Sequence, residues 1–134
     1  MSEQEMIYPR VTSELAEQRT ILAPKPAAAF KAFSQSVFAE GALSSKTKQL
    51  IAVAVAHVTQ CPYCIRGHTR AAVRHEATAE EIMEAIWVAA EMRAGGAYAH
   101  SVVALDTIAR KQAERASDRE QGASVSGVKA REQT

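Results

Sequence analysis

The stretch that most constrains this chain is the apolar run Leu50-Ile51-Ala52-Val53-Ala54-Val55-Ala56, which leads directly to the only two cysteines. A run without a polar face must be covered on nearly every side. It could be a buried strand, but its polar start (Lys46, Thr47, Lys48, Gln49), its length and its alternating alanines favour a buried helix over about 46–60. Ser44 or Ser45 can cap that helix. It delivers the chain to Cys61-Pro62-Tyr63-Cys64-Ile65-Arg66-Gly67-His68.

The local chemistry of this octapeptide is restrictive. Pro62 lacks a backbone N–H, and its fixed φ suits the first position of a helix. It also biases Cys61 away from helical geometry. Cys61 is therefore expected at the N-cap and Cys64 at the third helical position. Backbone N–H groups there have no partner within the helix, and with the helix dipole they favour a thiolate. His68 follows Cys64 by one turn on the same face, roughly 6 Å further along the axis. It can donate to a thiolate or take its proton, directly or through one water.

Three readings of the pair compete. Structural zinc takes four ligands, usually with a second cysteine pair, which this chain lacks; a Cys2His set with water fits only a catalytic zinc. Two inert cysteines are the second reading, since cysteine is commonly buried. A redox-active dithiol is the third, favoured by the spacing, the helix N-terminus and the histidine at i+4. No metal, flavin or haem motif is present, so no cofactor is expected and electrons must come from an external donor.

The chain's 134 residues suffice for one domain with its own core. Nearly half are apolar, alanine is frequent and aromatic residues are few, which suits a helical protein. Net charge is +1 and no dense basic stripe occurs, which argues against nucleic acid and anionic membrane as partners. No apolar run reaches the length of a membrane span, and no signal peptide is visible, so a cytoplasmic protein is expected. Two cysteines in such a chain point to catalysis or metal binding rather than a structural staple.

In chain order, residues 1–23 read as an extended lead-in with a short helix, Val11, Leu15, Ile21 and Leu22 being its apolar contacts. After Pro24 and Pro26 a helix is expected over about 27–39, with Phe30, Phe33, Val37 and Phe38 as a core stripe and Gly41 as its C-cap. The CxxC helix should run over about 62–75. Thr78 with Glu81 forms a capping box for the next helix, whose apolar face is Ile82, Ile86, Ala89 and Ala90. Gly95-Gly96 should end or bend it. A last helix is expected over about 98–116. Residues 118–134 are so polar that a disordered tail is predicted. The domain would thus be 1–117, with its core at about 27–116.

The order of the segments 46–56, Cys61-Pro62-Tyr63-Cys64-Ile65, His68, Ala77-Thr78-Ala79-Glu80-Glu81-Ile82 and Glu84-Ala85 resembles the AhpD-like branch of the carboxymuconolactone decarboxylase superfamily. The resemblance covers about 27–110. It implies a compact all-α domain of about five to six helices, a homo-oligomer (trimer or hexamer) and thiol-dependent reduction of alkyl hydroperoxides. It further implies that Cys64 is oxidised to a sulfenic acid, that Cys61 resolves it as a disulfide, and that His68 serves a proton relay. The reductant would be an external thiol or dithiol.

One residue departs from that pattern. Where the family carries a relay glutamate, twelve residues before the first cysteine, this chain has Gln49. Glutamine accepts no proton at neutral pH. His57, two turns further along the same helix, is a candidate substitute with a suitable side chain; it reads equally as a packed core histidine. The departure keeps a second function in view: a redox-responsive dithiol oligomer with little peroxidase turnover. Lactone decarboxylation, the chemistry of the superfamily's naming members, has no use for a dithiol.

Overall fold

The computed structural model describes residues 7–131, with side chains described as far as residue 124. Among these residues there are five helices and no strand: α1 (Ser13–Leu22), α2 (Pro24–Phe38), α3 (Ser45–Thr59), α4 (Pro62–Arg74) and α5 (Ala79–Arg131). The fold is all-α, as the composition requires. The chain divides into two units, one ending at Glu91 and the other beginning at Met92.

The first unit is organised around the packing of α3 on α4. Ser44 is the α3 N-cap, and its Oγ accepts from the Thr47 N–H at 3.1 Å. Val53 is fully buried, with Ala56 of α3 and Ala71 and Ala72 of α4 beside it in burial. Removing one valine side chain from water stabilises the fold by about 1.5–3 kcal/mol. The alanines let the two helices approach closely. Between α3 and α4, Gln60 adopts the left-handed conformation (φ 57°) and the Cys61 N–H donates to the Ala56 carbonyl at 3.1 Å. The reversal is therefore a helix C-terminal motif run straight into a helix N-cap.

A second left-handed residue, Glu76 (φ 63°), ends α4. The Ala77 N–H donates to the Ala72 carbonyl and the Glu76 N–H to the Val73 carbonyl, both at 3.0 Å. This is the bond pattern of a Schellman turn. The capping box at the start of α5 forms as the sequence requires: the Glu81 N–H donates to Thr78 Oγ1 at 3.1 Å, and the Thr78 N–H to Glu81 Oε2 at 2.8 Å. Glu81 also pairs with Lys46 of α3 at 2.8 Å.

The α2–α3 connection differs from expectation. Pro24 and Pro26 lie inside the first turn of α2 rather than before it, where a missing N–H costs nothing. Ala39, not Gly41, is the C-cap of α2, and no described glycine has positive φ. Side chains of α3 instead take the end of α2: Ser45 Oγ donates to the Phe38 carbonyl at 2.9 Å and Lys48 Nζ to the Ala39 carbonyl at 2.6 Å. The expected core stripe of α2 is also largely uncovered. Phe30 and Phe33 are 70% and 62% exposed, and only Phe38 of the four is half-buried. Val11, Leu15, Ile21 and Leu22 of the lead-in are exposed as well.

In the second unit, helix continues from Met92 through Arg131, where the sequence reading placed a break at Gly95-Gly96, a separate helix over 98–116 and a disordered tail. Two glycines cost about 1 kcal/mol each relative to alanine, too little to break a helix flanked by good formers. No proline follows Pro62. Pairs along the helix support it, Asp106–Arg110 at 2.8 Å and Lys111–Glu114 at 2.7 Å. Residues 132–134 of the proposed tail and 1–6 of the lead-in lie outside the described residues.

Candidate active site

Cys61 occupies the α4 N-cap with extended backbone geometry, Pro62 the first helical position and Cys64 the third. The Cys64 N–H donates to Cys61 Sγ at 3.2 Å, so the first sulfur itself does the capping. The two cysteines are joined in a disulfide, with their Cα atoms 5.2 Å apart. Both are half-buried. Among the described residues no group of three or more His, Cys, Asp or Glu side chains could hold a metal ion.

His68 follows on α4, half-buried, and is held from two sides. Its Nδ1 donates to Gln49 Oε1 at 2.8 Å, a bond that links α4 to α3 across nineteen residues of sequence. Its ring stacks on Phe38, with centroids 5.0 Å apart and planes 30° from parallel. Gln49 is itself buried, 7% exposed. A buried amide left unpaired would cost about 1–3 kcal/mol, so this contact is part of the packing as well as the site.

His57 does not join this group. Its Nδ1 donates to the Val53 carbonyl of its own helix at 2.7 Å. It is absent from the lining of the cavity beside Cys64.

That cavity has a volume of about 400 Å³ and is open to solvent. Cys64 and His68 line it at one place, and Phe38, Ile51 and Val55 form much of its apolar wall. The α3 residues at the cavity are Lys48, Ile51, Ala52, Val55, Ala56 and Thr59, a single helical stripe. An apolar molecule carrying one reactive polar group fits such a space: its body meets hydrocarbon and its polar end meets sulfur and imidazole. Tyr63, between the cysteines, points elsewhere and meets Tyr8 edge-on at 5.9 Å.

Sequence reasoning named Cys61, Cys64, His68 and Gln49, and the structure brings these together. It missed Phe38 as the platform for His68, having assigned that ring to a core stripe. The α3 stripe could have been found: its i, i+3, i+4, i+7 spacing is readable in 48–59.

Comparison with known proteins agrees with this architecture. The sequence pattern of the carboxymuconolactone decarboxylase family matches residues 24–107. A Paracoccus denitrificans protein, called uncharacterized protein 4 in the cox locus, is 71% identical over 77 residues, which are 58% of this chain and 69% of that one. An uncharacterized protein of Cupriavidus necator is 36% identical over 72 residues, 54% of this chain and 64% of its own length, just under two thirds. Two crystal structures are similar. One, of an apo carboxymuconolactone decarboxylase family protein from Legionella pneumophila, has 39% identity and a TM-score of 0.55, covering 60% of this chain and 70% of that one. The other, of a Methanobacterium thermoautotrophicum protein, has 37% identity and a TM-score of 0.58, covering 60% and 91%.

Proposed function

Since the chain belongs to the carboxymuconolactone decarboxylase family, we propose that it is the dithiol, AhpD-like kind of member, a thiol-dependent peroxidase acting on alkyl hydroperoxides. The observation that carries this reading is the bonded Cys61–Cys64 pair at the α4 N-terminus, with Cys64 and His68 lining one apolar cavity.

In the reduced protein the Cys64 thiolate attacks the terminal peroxide oxygen. The O–O bond breaks, sulfur is oxidised to a sulfenic acid, and the alkoxide takes a proton to leave as an alcohol. The Cys61 thiol then attacks the sulfenic sulfur; a disulfide forms and water leaves. An external dithiol reduces the disulfide by exchange and is itself oxidised, closing the cycle. The family resemblance gives Cys64 as the attacking thiol and Cys61 as the resolving one, and the cavity supports it: Cys64 lines it with His68, and Cys61 does not. Such a cycle needs a reducing compartment, the cytoplasm in this reading.

The protein also associates with copies of itself in this reading, because the protomer leaves large apolar side chains such as Phe30, Phe33 and Trp87 uncovered. A second function, a redox-responsive dithiol oligomer, is favoured by one observation: Gln49 stands where the family's relay has glutamate. The two separate on turnover. With excess dithiol, a peroxidase consumes many equivalents of cumene hydroperoxide per chain, and Cys64→Ser consumes none. A protein that is oxidised once per chain and stops is the switch, not the enzyme.

A further inference from the structure

We propose that Gln49 is a positioning residue that holds His68 in its Nδ1–H tautomer, so that Nε2 alone exchanges the proton of the Cys64 half-reaction. This rests on the peroxidase reading above. The geometry is specific. Gln49 Oε1 lies 2.8 Å from His68 Nδ1, and an oxygen there can only accept, so the ring nitrogen must carry the proton. Gln49 is buried and Phe38 stacks against the ring, so the imidazole is held both in its plane and at one edge. The ring lines the cavity together with Cys64, and Nε2 is the nitrogen that Gln49 leaves unengaged.

The chemistry explains why an amide serves here. In this tautomer the neutral ring bears its proton on Nδ1, as the imidazolium also does, so the bond to Gln49 persists through either state. Nε2 can take the Cys64 thiol proton, directly or through one water, and return it to the departing alkoxide. Thiol and hydroperoxide thereby become sulfenic acid and alcohol with one proton moved and none left over. No carboxylate is needed to store it. A glutamate in the same place would also accept from Nδ1–H, but its charge would favour imidazolium and hold the proton on the ring. The substitution that seemed to remove the end of a relay instead shortens the relay to a single histidine.

The test is the tautomer of His68 in the full-length reduced protein, read from long-range proton–nitrogen spectra of uniformly labelled samples, with His68→Gln to assign the signals. The wild type is expected to show a protonated Nδ1 and an unprotonated Nε2 once the ring is neutral. Gln49→Glu keeps that pattern, because an acceptor oxygen remains. Gln49→Leu, of similar volume but without an acceptor, shifts the ring toward the Nε2–H form. It also slows single-turnover oxidation of Cys64 by cumene hydroperoxide about tenfold or more, a share of the roughly 10²–10⁴-fold that acid–base assistance supplies, since His68 itself remains. Far-UV circular dichroism checks that the variants fold; the wild-type tautomer decides the matter if Gln49→Leu does not. A wild-type protein inert to peroxide overturns the peroxidase reading. An active protein whose His68 is Nε2–H, or in which Gln49→Leu alters neither tautomer nor rate, overturns the role of Gln49 alone.

Discussion

Two cysteines three residues apart take different places on α4 because a proline lies between them. Pro62 puts Cys61 at the cap and Cys64 inside the first turn, and of the two only Cys64 lines the cavity beside His68. The asymmetry predicts opposite failures. Cys64→Ser should not react with hydroperoxide at all. Cys61→Ser should react once and stop as a sulfenic acid or mixed disulfide, detectable by a sulfenic-specific probe and intact mass. Equal loss of the first oxidation in both variants would contradict the assignment. Much of this was legible in the sequence, because proline, capping and i+4 spacing are local rules. The Gln49–His68 bond and the Phe38 stack were not, since they join residues on three different helices and no periodicity predicts which rings will meet.

At the level of elements, the site depends on how α3 is fixed to its neighbours. One anchor is the Lys46–Glu81 pair, which ties α3 to the capping box of α5. The Lys46 ammonium bonded to Glu81, with the Thr78 N–H, holds the Glu81 carboxyl below its ordinary value of 4.5. A carboxyl with a lowered folded-state pKa stabilises the fold above its unfolded pKa, and that contribution fades as pH falls through the folded value. Glu81→Gln should therefore melt at a lower temperature than wild type near neutral pH, and the two melting curves should converge as the pH drops below about 4.5. The gap should also narrow with added salt, because the pair is exposed. A difference independent of pH would show that Glu81 acts only as a cap. Helix boundaries of α3 and α4 followed from capping residues within one or two positions. Continuation through Gly95-Gly96 did not, because a glycine pair reads as punctuation unless the helix-forming strength of its flanks is weighed with it.

At the level of the whole molecule, few large side chains are buried among the described residues. Among the described residues the buried apolar ones are one valine and five alanines, whereas Phe33 is 62% and Trp87 68% exposed. Exposed aromatic side chains on this scale are usual at subunit interfaces and unusual on a free surface. Sequence patterning recognised the apolar stripe of α2 and assigned it to the core, because a stripe that faces another copy needs the same residues. Association predicts that the wild type sediments well above the 14.5 kDa of one chain. Phe33→Asp should shift it toward monomer while the helical circular dichroism signal is largely kept. A wild type that sediments as a single chain would contradict the oligomer. No described helix is long and apolar enough to cross a membrane.

The peroxide-driven formation of the Cys61–Cys64 disulfide is tested most directly on the fully reduced wild type. The protein is pulsed with stoichiometric cumene hydroperoxide, then alkylated and weighed intact. Loss of two hydrogens per chain, with both cysteines closed to alkylation and one equivalent of cumyl alcohol released, is the predicted result. Two free thiols that alkylate as fast as before the pulse, with the hydroperoxide unconsumed, would contradict it.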